Sequence, residues 1–252
     1  MKELTSVNNP DIKQISKLIS KKNKSNLQNF IVEGIKPLED MLEQNIEIVQ
    51  VFTLNPQKII EKIEDNKITK VTEPILKKLS STDSSAEIIT IAKKFEPELE
   101  SIKYLDTIAV LEAIKDPGNL GAIIRSAAAF NIKALILTGD CVDKYNPKVI
   151  RSAAGNYFKI AILNFSAISE VKKLFPNHIF ISTDLSKKSE IELSSLKKLK
   201  NKIIILGSEA NGLAKSTVDF CDYNFVLDIS KNVESLNLAT AASIIFYELS
   251  KT

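Results

Sequence analysis

Arginine is nearly absent from this chain. Only Arg125 and Arg151 stand among its 34 basic residues, and all the others are lysine. Histidine occurs once, cysteine twice and tryptophan not at all. A single histidine cannot build a His-based zinc site, and it leaves Ser-His-Asp catalysis dependent on that one residue. That residue, His178, follows Pro176-Asn177 and opens the apolar run Ile179-Phe180-Ile181, which suits a strand edge better than a catalytic base. Cys141 and Cys221 are too few for a disulfide framework and lack metal-type spacing, so no metal site is expected. The expected compartment is the reducing cytoplasm. No run is long enough for a membrane span, and the N-terminus has no apolar signal region. Neither G-x-G-x-x-G nor G-x-x-x-x-G-K-[ST] occurs, which removes the usual dinucleotide and P-loop mechanics.

What is present is concentrated. Both arginines sit in the same phrase, Ile-Arg-Ser-Ala-Ala. Where lysine fills nearly every cationic position, a retained arginine points to a need for the guanidinium itself. Its rigid fork matches phosphate or carboxylate at two points. Of the seven glycines, Gly118, Gly121, Gly155, Gly207 and Gly212 lie in three short stretches of the second half. Glycine permits positive φ and close approach of a ligand to the backbone. Net charge is only +3, so no overall basic field marks the chain as a nucleic-acid binder. Residues 1–24 are locally basic, with six lysines against Glu3 and Asp11. Lys13, Lys17, Lys21 and Lys24 recur on one helical face. That face is either solvated or laid along a phosphate backbone.

The hydrophobic pattern divides the chain in two. Asn8-Asn9-Pro10 starts a helix. Short strand and helix units then alternate: strands at 30–32, 46–54, 68–71 and 88–92, and helices at 37–44, 56–64 and 74–79. Residues 1–95 read as a small α/β module. Lys93–Glu100, charged and carrying Pro97, reads as a linker. From residue 104 onward the strands are stronger. Thr107–Ile114 is a near-continuous apolar run, as in a strand buried on both faces of a parallel sheet. Further strands are expected at 134–138, 159–163, 179–182, 203–206 and 225–229. Helices are expected at 120–130 and, at the end of the chain, 236–249. The alternation argues for a parallel, doubly wound sheet.

Three segments place polar residues, and in the first two also glycine, at strand ends, where parallel sheets bind ligands. They are Asp116–Phe130, containing Asn119 and Arg125; Ile205–Leu213, containing Gly207, Glu209 and Gly212; and Val233–Ala242, containing Ser235-Leu236-Asn237. In this order they resemble the three motifs of the SpoU (TrmH) family of RNA ribose 2′-O-methyltransferases. The similarity covers residues 104–252 and includes Lys148–Gly155. More loosely, Ser6–Lys13 and Phe30–Gly34 resemble the RNA substrate-binding domain often fused in front of that family's catalytic domain.

The resemblance implies an α/β fold of two parts: a small N-terminal α/β RNA-binding module, residues 1–95, and a C-terminal parallel-sheet domain, residues 104–252, tied in a deep trefoil knot. It implies S-adenosylmethionine as cofactor and a homodimer packed through the knot. RNA is the implied partner, ribosomal RNA being favoured over transfer RNA by the separate N-terminal domain. Arg125, Asn119, Glu209, Ser235 and Asn237 are the implied catalytic set. Thr183, Leu206, Gly207, Glu209, Gly212, Leu227, Ile229, Ser235 and Leu236 are expected to bind the cofactor. Arg125, Arg151, Lys13, Lys17, Lys21 and Lys24 are expected to contact RNA. Two residues depart from the family pattern in the loop expected to wrap the adenine: Asp228 where proline is usual, and Lys231 where glycine is frequent. They leave open a non-catalytic RNA-binding or ribosome-assembly protein on the same fold, against which the complete catalytic set argues.

Overall fold

Short β-branched runs supply the strands of the N-terminal part, where such residues pack well on a pleated surface. A computed structural model describes residues 1–19, 28–80 and 86–251. The chain forms two compact units, one of Met1–Phe95 with Tyr145–Arg151, the other of Glu96–Lys144 with Ser152–Thr252.

The first unit contains β1 (Lys2–Leu4), α1 (Pro10–Ile19), β2 (Asn29–Glu33), α2 (Ile35–Glu43), β3 (Ile48–Thr53), β4 (Ile68–Val71), α3 (Glu73–Leu79) and β5 (Ile88–Lys93). The strands lie in the order β1-β4-β3-β5-β2. β1, β4 and β3 run parallel, and β5 is antiparallel to β3 and β2. Ile12 of α1 and Ile75, Leu76 and Leu79 of α3 pack with Ile31, Phe52, Ile89 and Ile91 of the sheet. Each such fully buried aliphatic side chain contributes about 1.5–3 kcal/mol. Gly34 joins β2 to α2 at φ 103°, a backbone region that favours glycine.

The helix expected at 56–64 is absent. Asn55 caps Gln57 N–H at 3.2 Å and Pro56–Lys58 makes one 3-10 turn, which further turns follow. The chain must return to the start of β4, parallel to β3. The bonds made here are mostly of the tight three-residue kind, Lys58 N–H to the Asn55 carbonyl, Ile59 N–H to Pro56 and Lys62 N–H to Ile59, so the segment turns repeatedly and builds no α-helical ladder. Ile59 and Ile63 are nevertheless buried, which accounts for the helix-like spacing.

The second unit contains β6 (Thr107–Glu112), α4 (Pro117–Ala129), β7 (Ala134–Thr138), β8 (Ala161–Phe165), α6 (Ile168–Leu174), β9 (Ile179–Ser182), α7 (Leu193–Lys198), β10 (Lys202–Leu206), α8 (Lys215–Val218), β11 (Tyr223–Asn224) and α9 (Leu238–Ser250). Between β7 and β8 lies α5 (Pro147–Ser152), which up to Arg151 groups with the first unit. The sheet is wholly parallel in the order β11-β9-β10-β6-β7-β8. β6 and β10 lie side by side at its centre. Their continuous apolar runs are buried on both faces, as parallel strands require. From β6 the chain winds outward through β7 and β8, then crosses to the other side for β9. The reversal leaves β6 and β10 adjacent, with their following loops free to diverge around a crevice.

Two strand expectations shift. Residues 161–165 form the strand expected at 159–163, because Tyr157–Lys159 closes a 3-10 turn first. The strand expected at 225–229 does not form; the strand there is Tyr223–Asn224, just before it. Its neighbour β9 ends at Ser182, opposite Asn224, so the ladder has no further partner. Phe225 N–H takes the Ser182 carbonyl at 2.9 Å and the chain then leaves the sheet. At the opposite end of the strands, Asp106 accepts from Asn201 N–H at 3.0 Å and from the buried Lys202 Nζ at 3.2 Å.

Candidate active site

Three local devices carry the motif residues to one place. At the first, the Asp116 carboxylate caps α4 by accepting Asn119 N–H at 2.8 Å, and Pro117 occupies the first helical turn. Asn119 is thereby fixed one turn inside the helix. At the second, Gly207 follows β10, and a Cβ there would stand 2.3 Å from the Gly212 carbonyl carbon. Ser208 and Gly212 exchange both backbone hydrogen bonds, at 3.1 and 2.9 Å, and Gly212 has φ 63°. The loop between them is pinched at its base, and Glu209 stands in it. The Glu112 carboxylate, at the end of β6, secures the exit of this loop by accepting from Ala214 N–H and Thr217 Oγ1. At the third, Asn237 caps α9, accepting from Ala239 N–H at 2.9 Å and Thr240 N–H at 3.3 Å.

These devices meet through side chains. Asn237 Nδ2 donates to Asn119 Oδ1 at 3.1 Å, and Asn119 Nδ2 donates to Glu209 Oε1. Helices α4 and α9 are joined again by a 2.6 Å Ser126–Ser243 hydroxyl bond and by the Phe130 and Tyr247 rings, 5.5 Å apart. The contacts advance together along both helices, so α4 and α9 run parallel.

Beside this network lies a pocket of about 570 Å³. The ends of β9 and β10 supply Thr183, Leu206 and Gly207, and the pinched loop supplies Glu209 and Gly212. The irregular chain after β11 supplies Leu227, Ile229, Ser235 and Leu236. Asn237, Ala241 and Ile245 close the α9 side. Asp184, Leu185, Phe225, Val226 and Glu234 also line it, none of them singled out by the sequence. Phe225 and Val226 fall in the run expected as a strand, Glu234 lies within the third segment, and Asp184 and Leu185 have no signal beyond their nearness to Thr183. Asp228 and Lys231, the two departures from the family pattern, are exposed and lie outside the lining.

The remaining site candidates lie elsewhere. Arg125 is exposed on α4, about 9 Å along the helix from Asn119. It does not line the pocket, and among the described residues no carboxylate pairs with it. Arg151 is exposed in α5, also outside the lining. Lys13 is exposed on α1 and has no ion pair among the described residues. Lys17 belongs to α1, but its side chain, like all of Lys21 and Lys24, falls outside the described residues. No group of His, Cys, Asp and Glu able to hold a metal occurs among the described residues. No helix among them is long and apolar enough to cross a membrane.

Residues 106–247 match the SpoU rRNA methylase family. The chain belongs to that family. Residues 9–90 match the MRM3-like substrate binding domain. The chain is 26% identical over 99% of both lengths to a 23S rRNA (guanosine(2553)-2′-O)-methyltransferase of Bacillus subtilis. It is 28% identical, over 85% of this chain and 94% of the other, to a 23S rRNA (guanosine-2′-O-)-methyltransferase of Acinetobacter baylyi. The AdoMet-bound rRNA methyltransferase structure from Sinorhizobium meliloti superposes with a TM-score of 0.88, at 25% identity over 98% and 97% of the chains.

This member of the family is an RNA methyltransferase, and its cofactor is S-adenosylmethionine. The pocket suits that molecule. Its volume falls within the usual 300–1,000 Å³ of small-molecule sites. Leu206, Leu227, Ile229, Leu236 and Ile245 offer apolar surface for a heteroaromatic ring. The charged lining side chains are all carboxylates, Asp184, Glu209 and Glu234, which favour a cationic sulfonium over an anionic nucleotide.

Proposed function

We propose that the protein transfers a methyl group from S-adenosylmethionine to a ribose 2′-hydroxyl of ribosomal RNA. The observation that carries this is the hydrogen-bonded chain Glu209–Asn119–Asn237, which joins the three motif segments at the edge of the pocket. Bound there, the cofactor supplies an electrophilic methyl group. The protein must supply a ribose hydroxyl in line with it and a route for its proton. Arg125 is the group for the first task, its planar fork holding the phosphate beside the target ribose. A guanidinium is a poor base, so the proton leaves through a phosphate oxygen or water. Ser235 and Asn237 orient the ribose and the loop that precedes α9. Asn119 fixes the start of α4 and so the helix that carries Arg125, while Glu209 orders the pinched loop. Arg151 serves as a second phosphate contact.

Residues 1–95 serve as the RNA-selecting domain, and residues 104–252 hold the chemistry. Supporting this, most described lysines of the first unit are neutralised: Lys2, Lys36, Lys58, Lys62, Lys67, Lys70 and Lys93 each pair with a carboxylate. Lys13 and Lys77, on the packed helices α1 and α3, have no such partner among the described residues and remain available to phosphates. The protein acts in the cytoplasm as a homodimer through its knotted domain, a reading supported by Ile244 and Tyr247, which α9 leaves 38% and 44% exposed. Incubation of the wild-type protein and Arg125→Ala with methyl-labelled cofactor and protein-free ribosomal RNA tests the assignment. Label should enter RNA with the first protein and not with the second. Equal labelling would remove Arg125 from the reaction.

A further inference from the structure

Asn224 is 1% exposed, belongs to none of the three motif segments, and makes more side-chain hydrogen bonds than any residue of the catalytic set. Its Oδ1 accepts from Ser182 Oγ at 2.8 Å and from Asp184 N–H at 2.9 Å. Its Nδ2 donates to the carbonyls of Asp184, at 3.0 Å, and Lys188, at 3.2 Å. Every hydrogen-bonding site of the amide is used. The backbone joins in: Asn224 N–H donates to Glu190 Oε2 at 2.8 Å, and Glu190 N–H donates to the Asn224 carbonyl at 2.7 Å. Val226 N–H is held by Ser189 Oγ at 3.3 Å.

These bonds connect two walls of the pocket. One is Thr183-Asp184-Leu185, where the chain leaves β9. The other is Phe225-Val226-Leu227, where it leaves β11. Both leave paired strands, Ser182 opposite Asn224, and beyond the Phe225 N–H to Ser182 carbonyl bond no ladder sets their separation. We infer that Asn224, with Glu190, is a positioning residue for the cofactor. It clamps the 184–190 loop to the 225–227 segment at the spacing the ligand needs, and holds Leu185, 57% exposed, at the pocket wall. The chemistry fits an amide and no other side chain of similar size. Aspartate would offer acceptors to two carbonyls that need donors, and leucine would leave four polar groups unmet. The inference rests on the pocket being the S-adenosylmethionine site.

The test uses the full-length protein and measures cofactor affinity by calorimetry, with KM and kcat on ribosomal RNA. Glu190 is exposed, so Glu190→Ala removes one anchor without threatening the core. It should weaken cofactor binding about three- to tenfold, the value of one lost hydrogen bond. Glu190→Gln keeps the acceptor and should stay within about twofold of wild type. Asn224→Asp should weaken binding further. With Glu190→Ala and Asn224→Asp the cofactor KM should rise while RNA KM and kcat at saturating cofactor hold, a split that a general loss of stability would not produce. Ala241→Phe, which fills the pocket from α9, separates the two claims. If it abolishes cofactor binding while Glu190→Ala and Asn224→Asp leave affinity unchanged, the clamp is wrong and the pocket stands. If it too leaves affinity unchanged, the pocket assignment falls and the clamp with it.

Discussion

Asn237 Nδ2 donates to Asn119 Oδ1 at 3.1 Å across 118 positions of sequence. Each asparagine also belongs to the first turn or cap of its own helix, so the bond sets the start of α9 against the start of α4. Because Asn119 passes its other hydrogen bond to Glu209, the three groups should behave as one unit. Asn119→Ala and Asn237→Ala, combined in a double-mutant cycle on kcat/KM, should show a coupling of about 1 kcal/mol. Additive losses would mean that the contact is incidental.

Arg125→Lys keeps the charge and loses the planar fork. Cofactor affinity should stay near wild type, since Arg125 does not line the pocket. Single-turnover methyl transfer should fall about 100-fold, as expected when positioning is lost. Full activity in the lysine variant would show that a point charge suffices.

At Gly207, an added methyl group would collide with the Gly212 backbone at 2.3–2.5 Å, where no side chain can yield. Gly207→Ala should cost about 1–3 kcal/mol of stability as an overpacked site. It should also displace the loop holding Glu209, and calorimetry should find cofactor binding weakened more than unfolding alone explains.

Acid should act through Asp106. Partial burial pushes its carboxyl pKa up, but hydrogen bonds from Asn201 N–H and Lys202 prevail and hold it below the usual aspartate value. A lowered folded pKa means stabilisation present above the ordinary value near 3.8 and lost as pH falls through the folded one. Asp106→Asn should therefore lower the melting temperature at pH 6–7, where Lys202 is left buried without its charged partner. The difference should vanish near pH 2. A constant difference across that range would exclude the ion pair as its source.

Much of this was legible in the sequence. β6 and β10 announce themselves because strands buried on both faces need unbroken apolar runs, and Thr107–Glu112 and Lys202–Leu206 have them. The order of the three motif segments led to the family, and the family led to Asn119, Glu209 and Asn237. Other features had no local signature. β1 is only Lys-Glu-Leu, and pairing with β4 alone makes it a strand. The 225–229 run reads as a strand, yet it becomes pocket wall because β9 stops at Ser182, a fact held in another part of the chain. Asn224 lies beside that run, and its role depends on four polar groups on three residues, Ser182, Asp184 and Lys188.

The first unit offers a separate test in salt. If RNA lies along α1 and α3, changing both Lys13 and Lys77 to glutamine should flatten the log–log salt dependence of RNA binding by about 1.5. Changing Lys58 and Lys62, already paired with Glu87 and Glu39, should alter it little. Equal effects from the two pairs would leave the α1–α3 face as a solvated surface.

The central claim is methyl transfer to a ribose hydroxyl. Protein-free ribosomal RNA incubated with the protein and methyl-deuterated S-adenosylmethionine, digested to nucleosides and analysed by mass spectrometry, tests it directly. One nucleoside should carry the deuterated methyl on its sugar, and the linkage on its 3′ side should resist alkaline hydrolysis. Label on a base, or none in RNA despite tight cofactor binding, would contradict the account.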